Sequence, residues 1–212
     1  MKILIGVPAM ETVTTDFCQS LVSMRHPEIS YAFAKSSLIY DARNQIVLMA
    51  LENNFDMVLW IDSDMKFPPD TLIRMMKHFE DGKDYVSALA FTRKQPIRTV
   101  AYKELDVIKD EGTPQTYAKE VKEYGDEMME IAGSGFGCVM TSVKMLKDVA
   151  EKFGPPFYPR MGFGEDLTFC WLAKNAGYKM WLDPTIKVGH MGFYEFNEET
   201  YEHGLQELSE EE

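Results

Sequence analysis

Asp62-Ser63-Asp64 follows directly on an all-apolar run, Met57-Val58-Leu59-Trp60-Ile61. Such a run reads as a strand covered on both faces of a parallel sheet. In open α/β sheets ligands gather beyond the carboxyl ends of the strands. Two carboxylates one residue apart on a turn there can converge on one divalent cation, and Mg²⁺ or Mn²⁺ would take their oxygens and bridge to a substrate phosphate. Acidic residues can equally well just cap the turn before Pro68-Pro69. A second feature, Gly162-Phe163-Gly164-Glu165-Asp166, opens a helix. A carboxylate in a first helical turn is stabilised by the helix N-terminus. That is either ordinary capping or a general base held rigidly beside a glycine-flexed loop that lets an acceptor approach. The third is His190, in Val188-Gly189-His190-Met191-Gly192 just past a strand. Alone it reads as a structural histidine, yet an imidazole also suits Mn²⁺-like ions and can complete a site begun by a distant carboxylate.

The elements that must carry these residues alternate. Strands are expected at Ile3 to Val7, closed by Pro8, at Ile29 to Ala34, and at Tyr85 to Phe91. Between them, Thr14 and Thr15 can cap a helix bearing Phe17, Leu21 and Val22. Asp41 can cap another through Ile46, Val47, Ala50 and Leu51, ending near Asn53-Asn54. Pro68-Pro69-Asp70 opens a third through Leu72, Ile73, Met76 and Phe79, which Gly82 stops. Short strands alternating with helices imply right-handed βαβ units and an open parallel sheet. From Arg93 to about Asp126 the chain is polar, with weak periodicity and a Gly112-Thr113-Pro114 turn; it reads as an excursion over the active-site face with one or two short strands. Order returns with a strand from Met128 to Ala132, the loop Gly133 to Gly137, a strand to Thr141, and a helix to Phe153 broken by Gly154-Pro155-Pro156. A helix from about Glu165 to Ala176 ends at Gly177, a natural left-handed cap. Strands at Lys179 to Leu182 and Ile186 to Val188 follow.

Composition narrows the function classes. The 212 residues fit one α/β domain, and 45% hydrophobic content is ordinary for a globular core. Lys and Arg number 22 against 34 Asp and Glu, a formal charge of -12. That balance argues against a nucleic-acid partner, whose phosphates demand cations. Part of the excess is local, in Glu207, Glu210, Glu211 and Glu212, which read as a solvated tail. The three cysteines, Cys18, Cys138 and Cys170, are odd in number, widely spaced and without a CxxC, so buried free thiols in a reducing cytosol are expected. The N-terminal apolar stretch is too short for a signal-peptide core. No apolar run approaches the roughly 18 residues of a transmembrane helix, so a soluble cytoplasmic protein is expected.

Taken in order, the strand with its DxD, the glycine-rich loop, the Glu-Asp at a helix start and the Gly-His after a late strand resemble GT-A glycosyltransferases, especially the family 2-like group. Leu59-Trp60-Ile61-Asp62-Ser63-Asp64 looks like that family's metal-binding strand. Glu165-Asp166-Leu167 with Ala176-Gly177-Tyr178 resembles its Glu-Asp helix and closing Ala-Gly-Tyr. The resemblance covers most of residues 1–192 and is weakest between Arg93 and Asp126. It implies a single GT-A domain over 1–192: a donor-binding half of about 1–92, the excursion of about 93–126, and an acceptor and catalytic half of about 127–192. An acidic extension, 193–212, follows. The implied fold is a mostly parallel central sheet flanked by helices, with a small acceptor-side β subregion.

The implied reaction is metal-dependent transfer of a sugar from a nucleotide-diphosphate donor, a UDP-sugar first and a GDP-sugar next, to an acceptor hydroxyl with inversion. Asp64 and His190 would ligate Mn²⁺ or Mg²⁺ directly, and Asp62 would reach it through water or hold the donor ribose. Asp166 would be the general base; Glu165 would bind another acceptor hydroxyl or support the loop, and the two roles could be exchanged. Pro8, Ala9 and Met10 end the first strand where the family seats the nucleotide base, although its frequent Pro-Thr-Tyr-Asn is absent. Arg43, in Asp41-Ala42-Arg43-Asn44, can pair with a donor phosphate or form a surface salt bridge. Trp171 and Trp181 read as core, whereas Tyr158, Phe163 and Tyr194 are candidates to stack a sugar ring. A nucleotidyltransferase would carry a glycine-rich basic loop where Pro8-Ala9-Met10-Glu11 stands, and a nicotinamide enzyme would need GxGxxG there. The alternatives to transfer are a nucleotidyltransferase of related fold, despite the missing loop, and a non-catalytic domain that binds a nucleotide sugar.

Overall fold

A computed structural model describes residues 1–110, 113–192 and 195–202. The chain opens with β1 (Ile3–Ala9), α1 (Thr15–Ser23), β2 (Ile29–Lys35) and α2 (Ile39–Glu52). Thr14 caps α1 as its type suggests, its hydroxyl accepting the Phe17 N–H at 3.1 Å. Pro8 does not close β1: it still sits opposite Ala34 in the ladder with β2. Nor does Asp41 cap α2. That helix begins two residues earlier with no side-chain cap, and Asp41 stands in its first turn, accepting from Gln45.

Next come β3 (Met57–Ile61), β4 (Met65–Lys66), α3 (Thr71–Glu80) and β5 (Tyr85–Leu89). All five residues of β3 are buried, as an uninterrupted apolar run requires in a sheet covered on both faces. Gly82, at φ +80°, follows the end of α3. Within the expected excursion the one or two short strands are a long hairpin, β6 (Ala101–Asp110) with β7 (Thr113–Glu120). Its strands escape a periodicity search because most of their described side chains meet water, so apolar and polar positions do not alternate. Then follow β8 (Met129–Ile131), β9 (Gly133–Ser134), β10 (Cys138–Ser142), α4 (Val143–Phe153), α5 (Glu165–Asn175), β11 (Met180–Lys187), β12 (Gly189–Met191) and β13 (Glu195–Phe196). The two late strands expected from sequence are one, β11, with a bulge between Asp183 and Lys187.

The central sheet runs β2-β1-β3-β10-β5-β11-β8. It is mixed rather than simply parallel. β1 pairs parallel with β2 and β3, and β5 with β11. β10 is inserted antiparallel between β3 and β5, and β8 lies antiparallel on β11. Two apolar layers cover it. On one face Ala42, Ile46 and Ala50 of α2, Leu146 and Val149 of α4, and Phe169 and Leu172 of α5 pack together. On the other, Phe17 of α1 meets Leu72 and Met75 of α3. Two three-stranded sheets, β13-β12-β4 and β7-β6-β9, flank this body. Tyr201 packs its ring on Phe91 at 4.9 Å, so residues beyond 192 also belong to the packed body. Glu207 and the other tail acids lie outside the described residues.

Candidate active site

The ends of β1 and β3 bring Pro8, Ala9 and Asp62 to one edge of the sheet. Just past Asp62 the chain turns back into β4, and this short strand decides the geometry. It pairs antiparallel with β12, placing His190 opposite Met65, and the Met191 N–H donates to the Asp64 carbonyl at 2.8 Å. His190 and Asp64 are thereby brought side by side, with Nε2 3.5 Å from Oδ2. The other ring nitrogen faces the Phe91 carbonyl at 3.0 Å. A carbonyl only accepts, so Nδ1 donates there and Nε2 is left to face Asp64.

Arg93, which the sequence does not flag, reaches the same carboxylate: its Nη1 lies 2.7 Å from Asp64 Oδ2 and also donates to the Met191 carbonyl at 3.3 Å. Burial pushes the Asp64 carboxyl up, but the hydrogen bond and charge of His190, with the Arg93 guanidinium, outweigh it and hold the group below its ordinary value. Asp62 is shifted the other way. Burial raises it, with Asp64 and Glu165 adding to the rise, and Arg43 only partly offsets them.

Arg43 is neither a surface residue nor on the cleft wall. It is 2% exposed, wedged on α2 against the rings of Phe136 and Phe157, with its guanidinium carbon 5.3 and 5.9 Å from their centroids. Nη2 donates to Asp62 Oδ1 at 3.0 Å, and Nε lies 3.5 Å from Glu165 Oε1. Nε and Nη1 find no hydrogen-bond acceptor among the described residues.

Glu165 and Asp166 begin α5 after Gly164, in an N-cap that offers no side-chain acceptor. Asp166 Oδ1 accepts the Leu167 N–H at 2.7 Å. Burial, then the neighbouring Glu165 charge, push its carboxyl up to about 6, against the pull of Arg43 and the Leu167 N–H. Its Oδ2 looks toward Gly135, where a built Cβ would stand 3.6 Å away in ordinary contact. The hairpin also arrives here: a Cβ on Gly162, at φ +89°, would stand 3.3 Å from Thr116 Cγ2.

A cleft of about 340 Å³ opens over the sheet edge. Pro8, Ala9, Met10 and Ala42 line it, Ser36 and Ser37 close one side, and Asp62, Ser63, Asp64, Arg93 and His190 form the polar end. Glu165 and Asp166 are not on this wall; Arg43 links them to it from behind. A cavity of about 270 Å³ between Ile97 and Tyr201 is comparable in size but lacks such a gathering of carboxylates and imidazole. Among the described residues no three His, Cys, Asp or Glu side chains gather as a metal cluster. Asp64 and His190, an oxygen and a nitrogen donor 3.5 Å apart, are the residues of this wall that could hold a metal ion together with oxygens of a bound phosphate.

Other candidates separate. Tyr158 is half exposed and packs edge-on against Tyr40, whereas Phe163 is buried, not free to stack a sugar. Tyr194 lies outside the described residues. Trp171 and Trp181 are partly exposed at the edge of the core, the latter under Lys83 at 3.9 Å. Cys138 and Cys170 are buried, their thiols pushed up to about 12 by burial, but Cys18 is exposed on α1.

No protein-family model and no curated protein matches the sequence. Solved structures do. A197 from STIV superposes with a TM-score of 0.65 at 19% identity, covering 91% of this chain and 86% of that one. GalNAc-T7, solved with UDP, GalNAc and Mn²⁺, gives 0.61 at 9% identity, over 91% of this chain and 43% of its own. S. aureus TarS gives 0.52 at 15% identity, over 87% and 35%. The chain thus spans less than half of the last two. At such identities the likeness concerns the fold: a mixed α/β body with a central sheet flanked by helices, consistent with the GT-A type. None of the described helices is long and apolar enough to cross a membrane.

Proposed function

We propose that the protein is a metal-dependent glycosyltransferase that moves a sugar from a nucleotide-diphosphate sugar to an acceptor hydroxyl with inversion. The observation that carries the proposal is the meeting of Asp64 and His190 at the sheet edge, on the same cleft as Pro8, Ala9 and Met10, with Arg43 joining Asp62 of that wall to Glu165, the neighbour of Asp166. The UDP, GalNAc and Mn²⁺ in GalNAc-T7, of similar fold, point to the same ligand classes. Asp64 and His190 would hold Mn²⁺ or Mg²⁺. When bound, the cation would neutralise charge on the departing diphosphate. Asp62 would contact it through water or hold the ribose, and Pro8, Ala9 and Met10 would flank the base, beside Ser36 and Ser37.

Asp166 would take the proton from the acceptor hydroxyl as its oxygen attacks the anomeric carbon. The new C–O bond forms on the face opposite the breaking bond to the diphosphate, which inverts that carbon. A carboxyl at about 6 suits this work: it is mostly ionised at pH 7 yet more basic than an ordinary aspartate. Glu165 would bind a second acceptor hydroxyl or support the loop before α5.

The test is nucleotide release from UDP- and GDP-sugars, each with and without Mn²⁺, with product anomers read by NMR. Metal-dependent release that falls by about 10²-fold or more in Asp166→Asn, at unchanged donor affinity, is the expected result. Release that survives in Asp166→Asn, or collapse of donor binding instead, would refute the base assignment.

A further inference from the structure

Arg43 has a place in the fold that neither phosphate pairing nor a surface salt bridge accounts for. Its cation is buried between two aromatic rings, 2% exposed, and it stands between carboxylates from different parts of the chain. Asp62 comes from the end of β3 and lies on the cleft wall. Glu165 comes from the first turn of α5, next to Asp166. The contacts are unequal: a 3.0 Å hydrogen bond to Asp62, but a 3.5 Å approach to Glu165 without hydrogen-bond geometry. Among the described residues Nε and Nη1 find no acceptor although they are buried. Leaving a buried charged donor unsatisfied is costly, and a fork held this way is set to close on an acceptor that moves slightly toward it. Lysine would keep the charge but lose the planar fork that reaches two partners at once.

We infer that Arg43 is a positioning residue: by gripping Asp62 with one arm and facing Glu165 with the other, it fixes the start of α5, and so Asp166, relative to the donor end of the cleft. The inference rests on the glycosyl-transfer reading of the site and adds to it the device that sets the distance between donor and base. Arg43 touches no reacting atom. It acts through the two carboxylates it contacts. Misplacement of reacting groups by about 1 Å can cost on the order of 10²-fold in rate, so loss of the fork should appear in kcat rather than in donor KM.

The experiment compares wild type, Arg43→Gln, Arg43→Lys and Glu165→Gln by steady-state kinetics across pH, by UDP binding with Mn²⁺, and by carboxyl NMR titration of Asp166. The groups acting on Asp166 are Glu165, Arg43 and Asp62, with Tyr85, Tyr102 and Cys170 also close enough to feel its charge. Arg43→Gln should lower kcat about 100-fold with donor KM near wild type, and should move the acidic limb of the rate profile and the Asp166 titration to higher pH. Glu165→Gln should move both to lower pH, and Arg43→Lys should restore the limb but only part of kcat. A raised donor KM at preserved kcat would overturn the inference in favour of a phosphate ligand. Loss of melting temperature with an unmoved titration in all variants would reduce Arg43 to a packing residue. A wild type that turns over no donor would defeat the glycosyl-transfer reading alone, because opposite Asp166 shifts in the two Gln variants would still uphold the positioning.

Discussion

Replacing Asp166 by Asn should make the protein more stable at neutral pH. Burial and the Glu165 charge raise this carboxyl from 3.8 to about 6. An acid that binds its proton more tightly in the folded state than in the unfolded chain penalises the fold once the unfolded chain begins to lose that proton. The penalty is absent below about pH 4, grows between 4 and 6, and is complete above 6. Roughly two pH units at about 1.4 kcal/mol each give an order of ~3 kcal/mol. Partial solvent access reduces this, so ~1–3 kcal/mol is expected. Asn carries no charge, and its carbonyl can still accept the Leu167 N–H that Asp166 accepts at 2.7 Å. In a chain of 212 residues that gain corresponds to roughly 3–10 °C in melting temperature. Urea unfolding of both proteins at pH 4, 6 and 8 reads it directly. The variant should match wild type at pH 4 and exceed it at pH 8. A variant that is less stable at pH 8, or a gap that does not change with pH, would show that Asp166 is not a strained base.

Asp64→Ala should abolish any Mn²⁺-dependent shift in melting temperature by nucleoside diphosphates while the metal-free protein stays folded, as circular dichroism would confirm. Gly133→Ala would set a Cβ 2.6 Å from Cys170 Cβ, close to helix backbone that cannot easily retreat, and should cost about 1–3 kcal/mol in urea melts. Asp183 joins β11 to α3, accepting from Thr185 and facing His78 Nε2 at 2.7 Å. Burial raises its carboxyl, but bonds from Thr185 and His78 and the Arg74 charge hold it below the ordinary value. Its stabilisation is therefore present above about pH 4 and lost as the pH falls through its lowered value. Asp183→Asn should cost about 1–3 kcal/mol at pH 7, and the gap should close in acid.

The sequence announces what burial imposes on composition. Met57 to Ile61 reads as a covered strand because all five side chains are buried, and Thr14 reads as a cap because its hydroxyl accepts an otherwise orphan N–H. The direction of a buried strand leaves no such mark. Cys138 to Ser142 is apolar enough to be placed as a strand, yet nothing in it says that it runs antiparallel between β3 and β5. The β6–β7 hairpin is hidden for the opposite reason, since most of its described side chains meet water and the few buried ones, Ala101 and Leu105, set no alternation. In the site, Asp64 and His190 could be paired only by family order; the cause, a β4 strand of two residues, is too short to be seen in a pattern. Arg93 gave no signal beyond its place shortly after a strand end, and Arg43 read equally as a phosphate partner or a surface salt bridge, because the rings of Phe136 and Phe157 that cover it come from far along the chain.

Thermal melting with UDP, GDP, CMP and dTDP, each with and without Mn²⁺, tests the central claim most directly, because a ligand that binds only the folded state raises its melting temperature by mass action. One nucleoside diphosphate, UDP first and GDP next, should stabilise the protein only when Mn²⁺ is present. A folded protein whose melting temperature is moved by none of them, or equally with and without the metal, would contradict the claim.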